Sequence, residues 1–419
     1  MKNSGIEWIG EIPDNWNITT IKYACVFSPK CSKIVGLGIE NEITYTPMEY
    51  IKNGYYIQNT KIIADIPSSL TMYEEGDIVM AKVTPCFENG NIARMDNLVN
   101  GVGVGSSELY VFRTKKYNRD YLFYLLQNYI FKDCAASTMI GTGGLKRVSS
   151  HFIKNSKQPF PPISEQKAIA EFLDKKCGEV DALIADIQQE IETLEQYKRS
   201  VITEAVTKGL DPSVPMKDSG IDWVGIMPKH WKKMPNKYLM YKEKTICPVY
   251  NGESILSLTM KGVVVRDLEA GGKMPTSFDG YQQIKAGNLL MCLFDIDVTP
   301  RCIGLICNNG VTSPAYSQFI MKKNAYAPFY SYYYLMVDFT KELLHMAKNL
   351  RHSLNEEQFG AILAPVPPIE EQQQIADYLD KKCKEIEGVI ADKQSQIETL
   401  ESYKKSLIYE YVTGKKEVG

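Results

Sequence analysis

The sequence predicts two α/β (α+β) domains separated by a long antiparallel two-helix coiled coil, arranged as an internal pseudo-twofold repeat. Three observations predict it. Residues 161–208 and 367–414, aligned without a gap, agree at about 29 of 48 positions, including Leu-Asp-Lys-Lys-Cys at 173–177 and 379–383 and Ile-Glu-Thr-Leu-Glu at 191–195 and 397–401. A second copied segment opens each half, Ser-Gly-Ile-Glu-Trp-Ile-Gly from Ser4 and Ser-Gly-Ile-Asp-Trp-Val-Gly from Ser219. Between the copies, residues 17–158 and 232–364 show no comparable similarity to one another. A period this long means duplicated domains, because solenoid repeats run roughly 20–50 residues.

In chain order, the pattern assigns residues 1–160 to a first domain, 161–210 to a helical region, 211–366 to a second domain and 367–419 to a second helical region. In the first domain, Glu75-Gly-Asp-Ile-Val-Met-Ala-Lys-Val reads as a turn into a buried strand. A helix candidate follows at Tyr121–Phe131, then the polar stretch Gly141-Thr-Gly-Gly-Leu-Lys-Arg-Val-Ser-Ser. The first helical region carries a 4-3 apolar stripe of Leu173, Cys177, Val180, Ile184, Ile187, Ile191, Leu194 and Val201, with Lys198 as its polar entry. Pro-Pro-Ile precedes it, Glu165 suits its first turn, and Gly209 stops it.

The second domain repeats the order. Ala286-Gly-Asn-Leu-Leu-Met-Cys-Leu-Phe stands where the first turn-into-strand does, so the two inserts are expected to share a fold. A helix candidate at Phe329–Phe339 and the polar stretch Lys348-Asn-Leu-Arg-His-Ser-Leu come next. The last region has Leu379, Cys383, Ile386, Ile390, Ile397, Leu400 and Leu407 in its stripe, Lys393 and Lys404 as departures, Glu370 and Glu371 at its start and Gly414 at its end. About 44 helical residues at 1.5 Å each make a rod of roughly 65 Å, and one apolar stripe of that length needs a partner. Its own copy is the nearest, returning antiparallel and setting the two inserts at opposite ends of a rigid spacer. Cys177 and Cys383 are expected to act as small buried hydrophobes in that seam.

Composition is ordinary for a packed globular chain, with 44% hydrophobic, 11% aromatic and 23% charged residues. No apolar run approaches the roughly 18 residues of a membrane span, and Met-Lys-Asn-Ser-Gly-Ile-Glu-Trp lacks the apolar core of a signal peptide, which points to the cytoplasm. Ten cysteines without a Cys-x-x-Cys pair and four scattered histidines argue against a metal site. The net charge of -2 divides unevenly: segments 164–208 and 370–413 each hold 6 Lys/Arg and 10 Asp/Glu, so they carry -8 together and the remainder carries +6. Acidic helices and mildly basic inserts point to phosphate contact by the inserts.

Catalytic motifs are missing. Gly101-Val-Gly-Val-Gly runs into the strand-like Ser-Ser-Glu-Leu-Tyr-Val-Phe, where a nucleotide loop should open a helix. Neither a Gly-x-x-x-x-Gly-Lys-Ser/Thr loop nor an Asn/Asp-Pro-Pro-Tyr/Phe tetrad occurs. Asp295 and Asp297 are two acids of the sort a metal nuclease uses, but read more simply as a loop margin.

The order Ser-Gly-Ile-Glu-Trp-Ile-Gly-Glu-Ile-Pro-Asp-Asn-Trp, variable domain, Gly-Gly-Leu-Lys-Arg-Val-Ser, Pro-Pro-Ile-Ser-Glu-Gln and long helix, followed by Gly209-Leu-Asp-Pro-Ser-Val-Pro-Met-Lys-Asp-Ser-Gly-Ile-Asp-Trp and a second cycle, resembles the specificity subunit of a type I restriction-modification system. The resemblance covers essentially the whole chain. It implies two target-recognition domains, each reading one half of a split site on double-stranded DNA, and helices that set the half-site distance. It implies two modification (methyltransferase) subunits as partners, and through them restriction (endonuclease and translocase) subunits. S-adenosylmethionine, ATP and magnesium belong to those partners, and the chain itself binds no cofactor and catalyses nothing.

For DNA contact the turn-rich polar segments offer Lys82, Thr84, Arg94, Ser106, Lys146, Arg147 and Ser149 in the first domain, and Lys261, Arg266, Arg301, Thr312, Ser313, Asn349 and Arg351 in the second. Arg147 and Arg351 stand at matching places ahead of the helices. The pairs Trp8/Trp16 and Trp223/Trp231 are expected to pack rather than stack on bases. A coiled-coil adaptor that binds no DNA and an autonomous DNA-modifying enzyme are the competing readings.

Overall fold

The computed structural model describes residues 1–142, 144–269, 275–347 and 351–418. Four helices carry its architecture: α1 (Arg119–Gln127), α2 (Ile163–Lys208), α3 (Ala327–Phe339) and α4 (Ile369–Val412). The chain divides into two units, Met1–Ile187 with Ser395–Gly419, and Gln188–Gln394. Each unit owns one insert, the beginning of one long helix and the end of the other.

In the first unit the central sheet runs in the order β1 (Cys25–Phe27), β4 (Leu109–Thr114), β2 (Ile78–Ala81), β3 (Ile92–Arg94), with Asn53–Gly54 at the far edge. Strand β2 is antiparallel to both neighbours, Val79 lying opposite Val111 and Ala93. All four of its residues are buried because its alternating side chains serve two cores. Ile78 and Met80 face the core that contains Tyr121, Leu122 and Leu125 of α1 and Ile169 and Leu173 of α2. Val79 faces a smaller core with Ile51, Tyr73 and Met95.

A second sheet, in the order Thr60–Ile62, Glu42–Thr46, Val102–Gly105, Thr71–Glu74, takes up the glycine-rich segment. A Cβ at Gly103 would run into the Tyr73 ring, and one at Gly105 would lie 2.6 Å from the Thr46 carbonyl oxygen. These glycines let strands approach closely, which is a packing role.

The second unit repeats the strand order: β5 (Met240–Glu243), β8 (Ser317–Met321), β6 (Leu289–Met291), β7 (Ile303–Leu305). Leu289 and Met291 face the large core, and Leu290 faces the smaller one with Leu256, Ile284 and Ile306. The two turn-into-strand segments thus occupy the same place. Gly76 N–H bonds the Met95 oxygen at 2.8 Å, as Gly287 N–H bonds that of Ile306 at 2.8 Å. The inserts thus share the order of their central sheet despite unrelated sequences, while the second sheet differs, with four strands in the first unit and three in the second.

One helix expectation needs correction. Residues 121–131 are not one helix: α1 ends at Gln127, and a new helix runs over Tyr129–Ala136. Asn128 ends the first and begins the second, its side-chain oxygen accepting the N–H groups of Ile130 and Phe131. The second candidate, 329–339, lies within α3.

The copied Pro-Pro-Ile-x-Glu-Gln segment acts as a clamp in each unit. The Trp16 indole N–H donates to Glu165 at 2.8 Å, and that of Trp231 to Glu371 at 2.9 Å. Gln166 is buried, accepting from the Asn118 N–H at 2.8 Å and donating to the Pro161 oxygen at 2.8 Å. Gln372 likewise accepts from Tyr326 N–H at 2.8 Å and donates to the oxygens of Asn324 and Pro367 at 3.0 and 2.9 Å. Glu and Gln at the start of each long helix therefore fix the Trp of the leader and the N-cap backbone of α1 or α3. Trp16 and Trp231 are essentially inaccessible, at 1% and 0% exposure, and Trp8 and Trp223 are half-buried.

The long helices stop where the sequence says. Gly209 and Gly414 adopt φ of 75° and 69°, the left-handed conformation that suits a helix C-terminus. Their missing side chains leave room for a tryptophan: a Cβ would come within 3.3 Å of Trp231 in one case and of Trp16 in the other.

The polar departures from the stripe meet acids of the facing helix. In the first unit Lys404 bonds Asp181 at 2.6 and 2.7 Å. In the second unit Lys198 bonds Glu387 at 3.2 Å and Lys393 pairs with Glu190, so the helix segments there run in opposite directions. Among stripe residues, Leu173, Cys177, Val180, Ile191, Leu379, Cys383, Ile386, Ile397 and Leu407 are buried, while Ile184, Ile187, Leu194, Ile390 and Leu400 are half-buried. Burial pushes the Cys177 thiol up to about 11, as befits a small apolar filler.

Candidate nucleic-acid interface

In the first unit, strand β2 continues past Ala81 into a surface that collects most of the cations and hydroxyls marked in the sequence. Val148 N–H bonds the Lys82 oxygen at 2.9 Å and Thr84 N–H bonds the Lys146 oxygen at 3.0 Å. These contacts dock the exposed hairpin Ile140–Thr142 and Leu145–Arg147 onto the strand. The Thr84 hydroxyl tightens the joint, donating to Gly144 oxygen at 2.8 Å and accepting from Lys146 N–H at 2.9 Å. Lys82, Thr84, Ser106, Lys146 and Arg147 thereby come together.

Glu108, which sequence reasoning missed, organises this cluster. Its carboxylate accepts from Arg147 Nε and Nη2 at 2.8 Å each, and Lys82 Nζ stands 3.7 Å away. The hydrogen bond from Arg147 and then the Lys82 charge hold its pKa below the usual carboxylate range. Ser106 accepts the Glu108 N–H at 3.2 Å, and Ser149 caps the helix Ser150–Asn155 by accepting from Phe152 N–H. A lone Glu in a turn gives no signal of its own in the sequence. Only the three strands that surround it reveal its partners.

Arg94 lies elsewhere. It bonds Asp174 of α2 at 2.8 Å and Asp120 at 3.2 Å, and lies over the Phe123 ring. Burial works against its charge, but Asp174, Tyr124 and Asp120 together outweigh that and raise its pKa. Tyr124 joins the same carboxylate at 2.8 Å. This group fastens the insert to the long helix, beside a crevice of about 190 Å³ whose lining also includes Cys177, Asp181 and Lys404.

The second unit has a crevice of about 240 Å³ in the matching position, with Asp380, Cys383, Glu387 and Lys198 in its lining together with Lys261 and Arg301. Tyr332 bonds Asp380 at 2.7 Å, as Tyr124 bonds Asp174. Arg301 is turned inward, with Nε on the Ile303 oxygen at 2.8 Å and Nη1 on the Met260 oxygen at 3.1 Å, and burial lowers its pKa. Lys261 is exposed at the tip of the hairpin 256–265, which Arg301 ties to the sheet.

Thr312 is fully buried, donating to the Leu256 oxygen at 2.8 Å. Ser313 follows it, half-buried, and Arg266 is held through its N–H to the Ile255 oxygen at 2.7 Å. Arg351 is exposed and its carbonyl accepts from Asp295 N–H at 3.1 Å. Asn349 lies outside the described residues. Leu354 N–H bonds the Leu293 oxygen at 2.8 Å, as Val148 bonds Lys82, so the place matching Arg147 is that of Ser353. Arg351 stands two residues earlier. Asp297 pairs with His352 at 3.0 Å on this side.

Among the described residues, no helix is long and apolar enough to cross a membrane. The family model for the type I restriction modification DNA specificity domain matches residues 30–193 and 303–399, more than half of the chain and part of both inserts. The type I restriction enzyme EcoAI specificity subunit of Escherichia coli is 35% identical over 198 residues, covering 46% of this chain and 33% of that relative. The chain spans about a third of the length of the EcoAI and EcoEI specificity subunits of Escherichia coli. The MjaVIII specificity subunit of Methanocaldococcus jannaschii is 25% identical over 430 residues, covering 96% of this chain and 93% of that one. A chain from a structural study of complex assembly and conformational transition in the type I R-M system superposes with a TM-score of 0.72 at 13% identity, covering 97% of this chain and all of that one.

Proposed function

We propose that this chain, which belongs to the type I restriction modification DNA specificity domain family, is the non-catalytic sequence reader of a type I restriction-modification complex. Each insert reads one half of a split, asymmetric site on double-stranded DNA, and the long helices dock two methyltransferase subunits and through them restriction subunits. S-adenosylmethionine, ATP and magnesium are bound by those partners, and the complex works in the cytoplasm. The observation that carries this reading is one strand order beneath two inserts of unrelated sequence. Two readers with one frame and different surfaces suit a target whose halves differ.

The domain limits proposed are 1–160 and 211–366 for the target-recognition domains and 161–210 and 367–419 for the helical regions. The finer architecture, an antiparallel coiled coil with pseudo-twofold symmetry, is supported by a numerical relation. Adding the repeat offset of 206 to Lys198 and Asp181 gives Lys404 and Glu387, so the pairs Lys198–Glu387 and Lys404–Asp181 are the same contact in the two copies. Such a stem sets the half-site separation, which for two readers on one face of B-DNA is about one helical turn, roughly 34–36 Å.

The test is binding of the full chain, together with methyltransferase subunits, to duplexes over a salt series. A sequence-dependent affinity that falls steeply with salt is expected. Absence of duplex affinity would leave a protein-binding adaptor, and methyl transfer by the chain alone would make it an enzyme.

A further inference from the structure

The geometry points to Arg147 as a guanine reader in the major groove, with Glu108 as its positioning residue; this rests on the DNA-reading function proposed above. A guanidinium has five N–H donors in a planar fork. Glu108 takes the side-on pair, one from Nε and one from Nη2. Of the three donors that remain, one on Nη1 and one on Nη2 form the end-on edge, which points away from the carboxylate. Two parallel donors on that edge match the O6 and N7 acceptors that guanine shows in the major groove.

Exposure separates Arg147 from the other arginines of the first unit. Its side chain is 53% exposed, whereas those of Arg94, Arg113 and Arg119 are 24–26% exposed. Those three are committed to Asp174 and Asp120, to Asp77 and Glu74, and to Asp96 and Asp120. Arg147 combines a carboxylate that fixes its plane with an edge open to solvent.

The backbone holds both partners to the adjacent residues Lys82 and Val83. Lys82 N–H donates to the Glu108 oxygen at 3.0 Å, and the Lys82 oxygen accepts from Val148 N–H at 2.9 Å, while Val83 bridges to Arg147. Glu108 and Arg147 therefore keep their spacing without DNA, and little side-chain freedom is lost on binding. Lys82, Lys146 and Arg147 outnumber Glu108 by three charges to one, so the surface still suits a polyanion.

The experiment uses the full chain with methyltransferase subunits and a set of duplexes in which each base pair of the recognised site is replaced in turn. The wild type is expected to demand guanine at one position of the half-site read by the first insert. Arg147→Lys keeps the charge and loses the fork. It should lower discrimination at that position about ten- to a hundredfold and leave every other position unchanged. Glu108→Gln should lower discrimination at the same base pair by a smaller factor. On the DNA side, 7-deazaguanine there removes N7 and should weaken wild-type binding more than that of Arg147→Lys. Wild-type base ranking in Arg147→Lys, or indifference of the wild type to 7-deazaguanine at every guanine, overturns the inference. Replacement of residues 17–158 by another insert separates the two levels: an unchanged modified sequence would sink the DNA-reading function itself, whereas a changed one alongside an inert Arg147 would sink only the guanine assignment.

Discussion

The tips of the two units are built on the same strand and carry different chemistry. Past β2 the first unit presents Lys82, Thr84, Lys146 and Arg147; past β6 the second presents Asp295, Asp297 and His352, with Arg351 on the adjoining loop. Beneath the tips the central strand order and the fastenings to the long helix repeat. A tryptophan meets the first-turn glutamate, a buried glutamine joins the helix start to the N-cap backbone ahead, and a tyrosine meets Asp174 or Asp380. The copied residues are thus the ones that fasten an insert to its helix, and the divergent ones stand where a partner would be met.

The comparison breaks most visibly at the clamp. Trp16→Ala and Trp231→Ala each remove a fully buried ring and should cost about 3–5 kcal/mol. Amide exchange resolved by unit should show the loss centred on the unit that carries the substitution. A large difference in cost between the two would mean the clamps are not equivalent.

The next effect is smaller. Gln166→Leu and Gln372→Leu keep the side-chain volume but strip partners from buried backbone groups, at about 1–3 kcal/mol for each group left unsatisfied. Gln372 serves one more carbonyl than Gln166, so its loss should be the greater in denaturant unfolding.

How much of this was legible beforehand follows from what a sequence records. Periodicity and repetition are local, so the long helices, their ends at Gly209 and Gly414, and the turns at Gly76 and Gly287 could be read directly. The lysines at 198, 393 and 404 looked like flaws in an apolar stripe because their acids come from the other copy. The break at Asn128 was hidden because apolar and aromatic residues flank Gln127-Asn128 on both sides. Glu108 was invisible because its importance lies in residues 26 and 39 positions away. Among the residues marked for DNA contact, polarity alone did not separate Arg301 and Thr312, which satisfy carbonyls inside the second unit, from Lys146 and Lys261 at exposed hairpins.

The tips can be sharpened with those two lysines. Lys146→Gln and Lys261→Gln should each weaken binding to all duplexes alike and lower the salt slope by about one, the behaviour of a phosphate contact. A change in base preference instead would place them among the readers. The smallest effect belongs to the cross-helix pairs. Reversing one member in Lys198→Glu should cost less than about 1 kcal/mol, and adding Glu387→Lys should restore most of it, because such exposed pairs contribute little to stability. Melting temperatures of the single and the double variant decide this, and failure of the double variant to recover would remove the pair from the helix seam.

The central claim, two independent readers on a copied frame, is tested most directly by mapping methylated bases after residues 17–158 are exchanged for an unrelated insert. The account predicts a split motif in which one half changes while the other half and the spacer length stay as they were. A motif that changes in both halves, or in neither, would contradict it.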